Sequence, residues 1–415
     1  MKIRIEHTGN PLNYGTNMMV TNFMYYLDRY SGQKNEYELD VYNNEDLYNY
    51  KEQYREGIMS RKTIDYNLYY STNIFQRVFN KIKRDYFSSY YMKKNLDELC
   101  ENTETLVILG GDDLSEYYGI KSLEKELYRI NYVKDKMNIC LVGQTIGPFK
   151  NERIEKARIA MDGVQIYSRD PWTTNYLKKD LTLNNVVDSR DLAFLSLPYQ
   201  DDKEIENSIL NKYDLNKDNY ITLVPSGLYE SYCPDIEVYV QTWIDIIKGI
   251  IKVNPGKKII LLPHVLRSKA VDDRTIIKKI EDKLGDISEL VYIYDELTPL
   301  QARFILGNGI YTITGRMHGA ISTLQMRKPA ISISYSVKYN GVIGEGLGLK
   351  ELIIRGEKDI LWKNGTVKDE CLEKIDYIMN NYDDLLVDIQ NKVSECEKRV
   401  KVMIEDISEK LKQSY

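Results

Sequence analysis

The chain has 415 residues, a hydrophobic share of 43% and a formal net charge of -5. That length exceeds one typical core and suits two domains, while the acidic balance excludes a bulk nucleic-acid binder. Any anion site must therefore be a local basic cluster. Cys100, Cys140, Cys233, Cys371 and Cys396 are scattered without CxxC spacing, which suits reduced thiols rather than a disulfide framework or a zinc site. No apolar run resembles a signal peptide or reaches the roughly 18 residues of a membrane span. A cytoplasmic protein is expected, one able to touch the inner face of a membrane. The 35 tyrosines against 7 phenylalanines suit sugar-binding surfaces, but A/T-rich codons are the stronger explanation of the excess.

Taken in order, Lys2–Glu6 alternates like a strand and is followed by a loop from His7 to Asn17 containing Gly9 and Gly15, then by a helix to about Leu27. Strand, glycine-bearing loop and helix open a doubly wound unit. The loop lacks G-x-G-x-x-G, and the chain holds no G-x-x-x-x-G-K-[ST], so nicotinamide and P-loop chemistry have no support. Residues from about 46 to 100 read as a helical insert rich in Tyr, Lys and Arg. Within it Arg77–Lys94 mixes basic and apolar residues, as a solvated helix face or a membrane-contacting one would.

Leu106–Leu109 and Ile139–Val142 are apolar runs of the buried-strand type, separated by a helical stretch, which is a βαβ pattern with a parallel sheet. The first ends in Gly110-Gly111-Asp112-Asp113. Gln165–Ser168 leads into Arg169-Asp170, and Pro171 suits a first helical turn. A polar linker region, Tyr199–Asp218, separates this half from a second α/β series. That series has strands at Tyr220–Val224, Lys258–Leu262 and Leu290–Tyr294, with helices between them. The tail from about Lys368 to Gln413 carries apolar residues at helical spacing. It is expected to pack, and to cross back onto the first half.

The stretch Tyr311–Gly348 carries the sharpest chemistry. A strand-like run meets Gly315-Arg316-Met317-His318-Gly319, then a small-residue helix, Pro329 and a second strand ending near Lys338. Arg316, His318 and Lys338 are thus expected at carboxyl ends of adjacent strands, where open α/β sheets bind ligands. Flanking glycines permit close backbone approach, a helix start offers free N–H groups, an Arg fork grips carboxylate or phosphate, and histidine titrates near neutrality. A buried structural histidine beside a structural arginine is the plain competing explanation. Arg169, at a strand end of the first half, can either clamp the same anion across a cleft or pair with Asp170. His264 follows a strand, and Asp272-Asp273 are expected to cap the helix after it. Two adjacent acids such as Asp112 and Asp113 point in alternate directions, which disfavours a metal site.

At these residues the chain resembles the polysaccharide pyruvyl transferase family. Its pattern of strand-end [ST]-R-[MLF]-H, small-residue helix, Pro, strand and Y-x-x-K corresponds here to Gly315-Arg316-Met317-His318, Pro329 and Tyr335-Ser336-Val337-Lys338. Ile146-Gly147-Pro148-Phe149, Ser168-Arg169-Asp170, Asp191-Leu192-Ala193-Phe194 and Pro263-His264 with Asp272-Asp273 match it upstream. Two loops depart. Asn13-Tyr14-Gly15-Thr16 stands for the family's N-x-G-D, and Gly110-Gly111-Asp112-Asp113 for its G-G-G/S turn.

The resemblance implies an α/β fold of two Rossmann-like domains facing a cleft, GT-B-like, with a C-terminal amphipathic helix. The domains are drawn at 1–198 (acceptor side), 219–366 (donor side) and 367–415 (tail). It also implies phosphoenolpyruvate as donor, no cofactor or metal, and sugar hydroxyls of a glycan or lipid-linked oligosaccharide as acceptor, giving a pyruvate ketal in cell-surface polysaccharide. Arg169, Arg316 and Lys338 match donor-holding positions, and His318 the general acid. His7, Asn13, Asp112, Asp113 and His264 are candidates for acceptor contact or support. A GT-B-type glycosyltransferase using a nucleotide sugar is the alternative.

Overall fold

A computed structural model describes residues 1–54, 59–62, 92–267 and 271–413. The first sheet has seven parallel strands: β1 (Lys2–Glu6), β2 (Glu36–Val41), β3 (Met59–Lys62), β4 (Thr105–Gly111), β5 (Asn138–Gln144), β6 (Gln165–Ser168) and β7 (Val186–Asp188). Their spatial order is β3-β2-β1-β4-β5-β6-β7. The second has six: β8 (Tyr220–Val224), β9 (Lys258–Leu261), β10 (Leu290–Tyr292), β11 (Thr312–Thr314), β12 (Ala330–Ser334) and β13 (Ile353–Arg355), in the order β10-β9-β8-β11-β12-β13. β4, β8 and β12 are buried along nearly their whole length, as expected of strands covered by helices on both faces.

In each sheet the strand order reverses once, between β1 and β4 and between β8 and β11. Loops leaving the carboxyl ends beside such a reversal form a ligand crevice. The first crevice is edged by His7 after β1 and Asp112-Asp113 after β4. The second is edged by Ser226-Gly227 after β8 and Arg316-Met317-His318 after β11. Topology therefore places His7, Asp112 and Asp113 at one reversal and Arg316 and His318 at the other before any side chain is considered.

Several elements differ from the sequence expectation. The segment about 46–100 is not wholly helical where it is described: β3 pairs with β2 from Glu38↔Met59 to Val41↔Lys62. Alternation in so short and polar a strand is too weak to see. Arg77–Lys94 lies outside the described residues except for its last three. The linker region contains a helix, Lys203–Lys212, capped by Asp202. The tail divides at Asn381 into helices Thr366–Asn380 and Tyr382–Gln413. The second helix crosses back to the first half, where Asp406 accepts the Tyr167 hydroxyl at 2.7 Å and Arg399 reaches Asp188 at 2.8 Å. Its apolar face from Leu385 to Leu411 is buried, and it joins the core cluster that includes Met18 and Phe23 of helix Tyr14–Ser31. Among the described residues no helix is long and apolar enough to cross a membrane.

Candidate functional site

The Arg316-Met317-His318 turn is shaped by its neighbours. Thr314 ends β11, and its hydroxyl accepts the Arg316 N–H at 2.8 Å and donates to the Arg316 carbonyl at 2.9 Å. This local ring stops the strand and starts helix Met317–Gln325. The Gly315 carbonyl accepts the hydroxyls of Tyr339, at 2.6 Å, and Tyr232. A Cβ on Gly319 would lie 2.8 Å from Thr314 Oγ1, so the turn requires glycine there.

Arg316 and His318 leave this turn toward different carboxylates. Arg316 gives Nε at 3.0 Å and Nη2 at 2.7 Å to Asp273 Oδ1, and Nη2 at 2.8 Å to the Val271 carbonyl. Burial opposes the guanidinium charge, but Asp273 outweighs it and raises its pKa. Asp273 does not cap the helix Arg274–Leu284. It accepts the backbone N–H groups of Gly227 at 2.7 Å, His264 at 2.9 Å and Val265 at 2.8 Å. Asp272 bonds the Arg274 N–H instead, at 3.0 Å. The capping expectation thus holds for one acid, because the other is claimed by a buried cation.

His318 Nε2 lies 3.2 Å from Asp191 Oδ2, and Arg169 Nη1 lies 3.0 Å from the same oxygen. Asp191 is fully buried. Burial alone would raise its pKa, but His318 and Arg169 hold it well below the usual carboxylate range. Its Oδ1 accepts the Ala193 N–H at 2.9 Å. Arg303, from helix Pro299–Asn308 of the second half, donates to the carbonyls of Ala193 at 2.7 Å and Leu195 at 2.9 Å, which fixes the turn carrying Asp191. Arg169 also gives Nε to Thr145 at 2.9 Å, while Asp170 caps the helix Pro171–Lys179. Arg169 therefore pairs with Asp191 rather than Asp170, and is linked to the second half through Asp191, which also meets His318.

Gly15 lies directly under the His318 ring. A Cβ there would be 2.3 Å from His318 Cγ and Nδ1. Asn13 precedes helix Tyr14–Ser31 without a side-chain cap bond and pairs its backbone with Val265. Tyr14 N–H donates to the His264 carbonyl at 3.2 Å and Leu266 N–H to the Leu12 carbonyl at 3.0 Å. The loop after β1 is thereby latched to the loop after β9. His264 itself is fully buried, its ring edge-on to Tyr14 at 5.5 Å.

On the remaining side, Lys338 stands on a one-turn helix, Val337–Tyr339, four residues beyond β12. It was expected at the strand end. Its Nζ lies 3.3 Å from Asp112 Oδ2 across the cleft and 2.7 Å from the Tyr335 hydroxyl. His7 Nδ1 lies 3.4 Å from Asp113 Oδ2 and its Nε2 3.9 Å from Glu126. Burial would lower the His7 pKa, but Asp113, Glu126 and Asp40 raise it to about 9. Asp113, whose side chain is half exposed, moves the other way: partial desolvation would raise its pKa, but His7, Lys338 and Arg169 lower it.

The contacts thus join Arg169 and His318 at Asp191, Lys338 to Asp112 and His7 to Asp113, while Arg316 pairs with Asp273, Asn13 is held through its backbone and His264 packs its ring on Tyr14. Sequence reasoning did not single out Asp191, Asp273, Gly15 or Arg303 as site residues. Asp191, Asp273 and Gly15 stood inside motifs that had been noticed, but their roles depend on partners far along the chain: His318 for Asp191 and Gly15, and Arg316, 43 residues on, for Asp273. Arg303 had no motif to mark it.

The chain matches the family described as polysaccharide pyruvyl transferase over residues 25–337, and it belongs to that family. It is 22% identical over 303 residues to the amylovoran biosynthesis protein AmsJ of Erwinia amylovora, covering 71% of this chain and 70% of the relative. Among solved structures it is similar to a UDP-GlcNAc 2-epimerase from Neisseria meningitidis, with a TM-score of 0.63 at 10% identity, covering 98% and 99% of the two chains. It is also similar to S. aureus MnaA, with a TM-score of 0.61 at 10% identity over 94% and 90%. These likenesses establish the GT-B-like fold. Family membership makes the protein a transferase of polysaccharide biosynthesis.

Proposed function

With that family as premise, we propose that the protein transfers the pyruvyl group of phosphoenolpyruvate to two hydroxyls of a sugar, forming a pyruvate ketal and releasing phosphate. The observation that carries the reading is the junction at Asp191, where His318 and Arg169, from opposite halves, meet one buried carboxylate at 3.2 and 3.0 Å. A titratable ring held in place beside fixed cations suits a small polyanion that must be protonated.

Phosphoenolpyruvate carries a carboxylate and a phosphate, and its C2 is inert until C3 gains a proton. His318 supplies that proton, and Asp191 orients and balances the ring. C2 becomes oxocarbenium-like, one sugar hydroxyl adds to it, the C2–O bond to phosphate breaks, and the second hydroxyl closes the ketal. C3 takes one proton, the hydroxyls give up two, and the other leaves with phosphate. Asp273 occupies Nε and Nη2 of Arg316, and among the described residues no bond takes Nη1, which is offered to a donor oxygen. Lys338 supplies a second positive charge and Arg169 strengthens the field from behind Asp191. On the other rim, Asp113 is ionised and accepts from a hydroxyl, while charged His7 donates. The acceptor is a glycan or lipid-linked oligosaccharide, met at the inner face of a membrane when it is lipid-linked.

The test measures phosphate release from phosphoenolpyruvate with a panel of aryl or lipid-linked hexosides, beside thermal shifts with phosphoenolpyruvate, UDP, GDP and CMP. Phosphate release with stabilisation by phosphoenolpyruvate is expected. Stabilisation by a nucleotide alone transfers the cleft to nucleotide-sugar chemistry.

A further inference from the structure

His264 is the one histidine of the three whose ring makes no hydrogen bond or ion pair among the described residues. Both Nδ1 and Nε2 are buried without a partner, and the residue is 0% exposed. A buried imidazole in that state costs stability, because each polar atom has given up water and gained nothing. Its backbone is fully engaged, with N–H on Asp273 at 2.9 Å and carbonyl accepting Tyr14 N–H at 3.2 Å. The main chain would keep its course with another side chain at this position, so the ring needs its own explanation.

Its surroundings belong to the donor site. Asp273, which holds the His264 backbone, also grips Arg316. Tyr14 lies against the His264 ring, and its neighbour Gly15 lies under His318. The charges of His318, Arg316 and Arg303 add to burial in keeping the ring neutral. A neutral ring carries one N–H donor. Beside two fixed cations, an uncharged donor adds a directed hydrogen bond without adding to their mutual repulsion.

We infer that His264 is a donor-binding residue whose unpartnered ring N–H is reserved for an anionic oxygen of the bound donor. The inference rests on the reading of the cleft as a phosphoenolpyruvate site. Tyr14 and the backbone bonds between 12–14 and 264–266 cover the ring, so contact with the donor requires Tyr14 to part from it. The oxygen is a carboxylate or a phosphate one, and the chemistry is shared.

The test compares wild type with His264→Phe, which keeps a ring against Tyr14 and removes both nitrogens. Melting temperatures are read for the free proteins and across titrations of phosphoenolpyruvate, pyruvate and inorganic phosphate. The free variant is expected to melt higher than wild type by roughly 2–4 °C, since an unsatisfied group has been removed. It is expected to need at least tenfold more phosphoenolpyruvate for half-maximal stabilisation. The arm that loses its response, pyruvate or phosphate, names the oxygen. An unchanged response to phosphoenolpyruvate overturns the assignment, and so does a lower melting temperature of the free variant. If wild type itself ignores phosphoenolpyruvate, the donor reading falls, and the pyruvate and phosphate arms decide His264 by the same criteria.

Discussion

After β4 the chain places Asp112 and Asp113, and after β11, the strand in the equivalent place of the second sheet, it places Arg316 and His318. The same topology thus builds one acidic rim and one basic rim. The basic rim suits a small polyanion; the acidic rim suits the neutral hydroxyls of a sugar, which donate to carboxylates. Each rim is balanced in part by its own half, Arg316 by Asp273 and Asp113 by His7, and in part by the other, Asp112 by Lys338 and His318 by Asp191. The comparison can therefore be broken from either side.

The largest effect is expected from the basic rim. His318→Ala should lower phosphate release by about 10²–10⁴, the usual worth of a general acid, with the fold retained by circular dichroism. Near-normal turnover in that variant would remove His318 from the mechanism. Gly15→Ala comes next and changes no reacting group. Its Cβ would stand 2.3 Å from the His318 ring, so the imidazole must move, and a misplacement of about 1 Å can cost about 10²-fold. Steady-state kinetics should show the loss in kcat more than in KM for phosphoenolpyruvate; full activity would mean that His318 has no required position.

Lys338→Met tests the bond between the rims. A charge-assisted contact is worth about 1.5–3 kcal/mol, so half-saturation by phosphoenolpyruvate should rise roughly tenfold to a hundredfold. An effect on the sugar alone would assign Lys338 to the acceptor instead. The acidic rim supplies the smallest prediction. The His7 pKa is raised to about 9 by its carboxylate neighbours, above the ordinary value near 6.5. Its contribution to stability is then complete below about pH 6.5 and is lost as pH rises through about 9, at most about 3 kcal/mol. Urea unfolding at pH 6.5 and 9.5 should show that decline in wild type and a flatter profile in His7→Gln. Equal slopes would mean that His7 is not held charged.

The parts of this picture legible in sequence are those made by local pattern. Apolar runs such as Leu106–Leu109 and Ile139–Val142 report strands buried on both faces, and Pro171 reports a helix start, because each depends on nearby residues. β3 was missed because Met59–Lys62 has only four residues, and β2 was missed although Glu36–Val41 alternates polar and apolar residues as a strand does. Asp273 was read as a helix cap because sequence offers its nearest use, and the distant Arg316 competes for it with two bonds at 2.7 and 3.0 Å. Arg169 was left between Asp170 and a ligand, and it found Asp191, twenty-two residues on.

By itself the sequence determined that this is a two-part α/β transferase chain with Arg316, His318 and Lys338 near strand ends. Residue type, period and short motifs are properties of neighbours along the chain. Tertiary structure alone decided which carboxylate each cation meets, that His7 is held charged while His264 is held neutral, and that Gly15 must be glycine. Charge state and close approach depend on what burial brings within a few ångströms; for His7, Arg169 and Arg316 those neighbours come from the same half, and for His318, Lys338 and Gly15 from the opposite one.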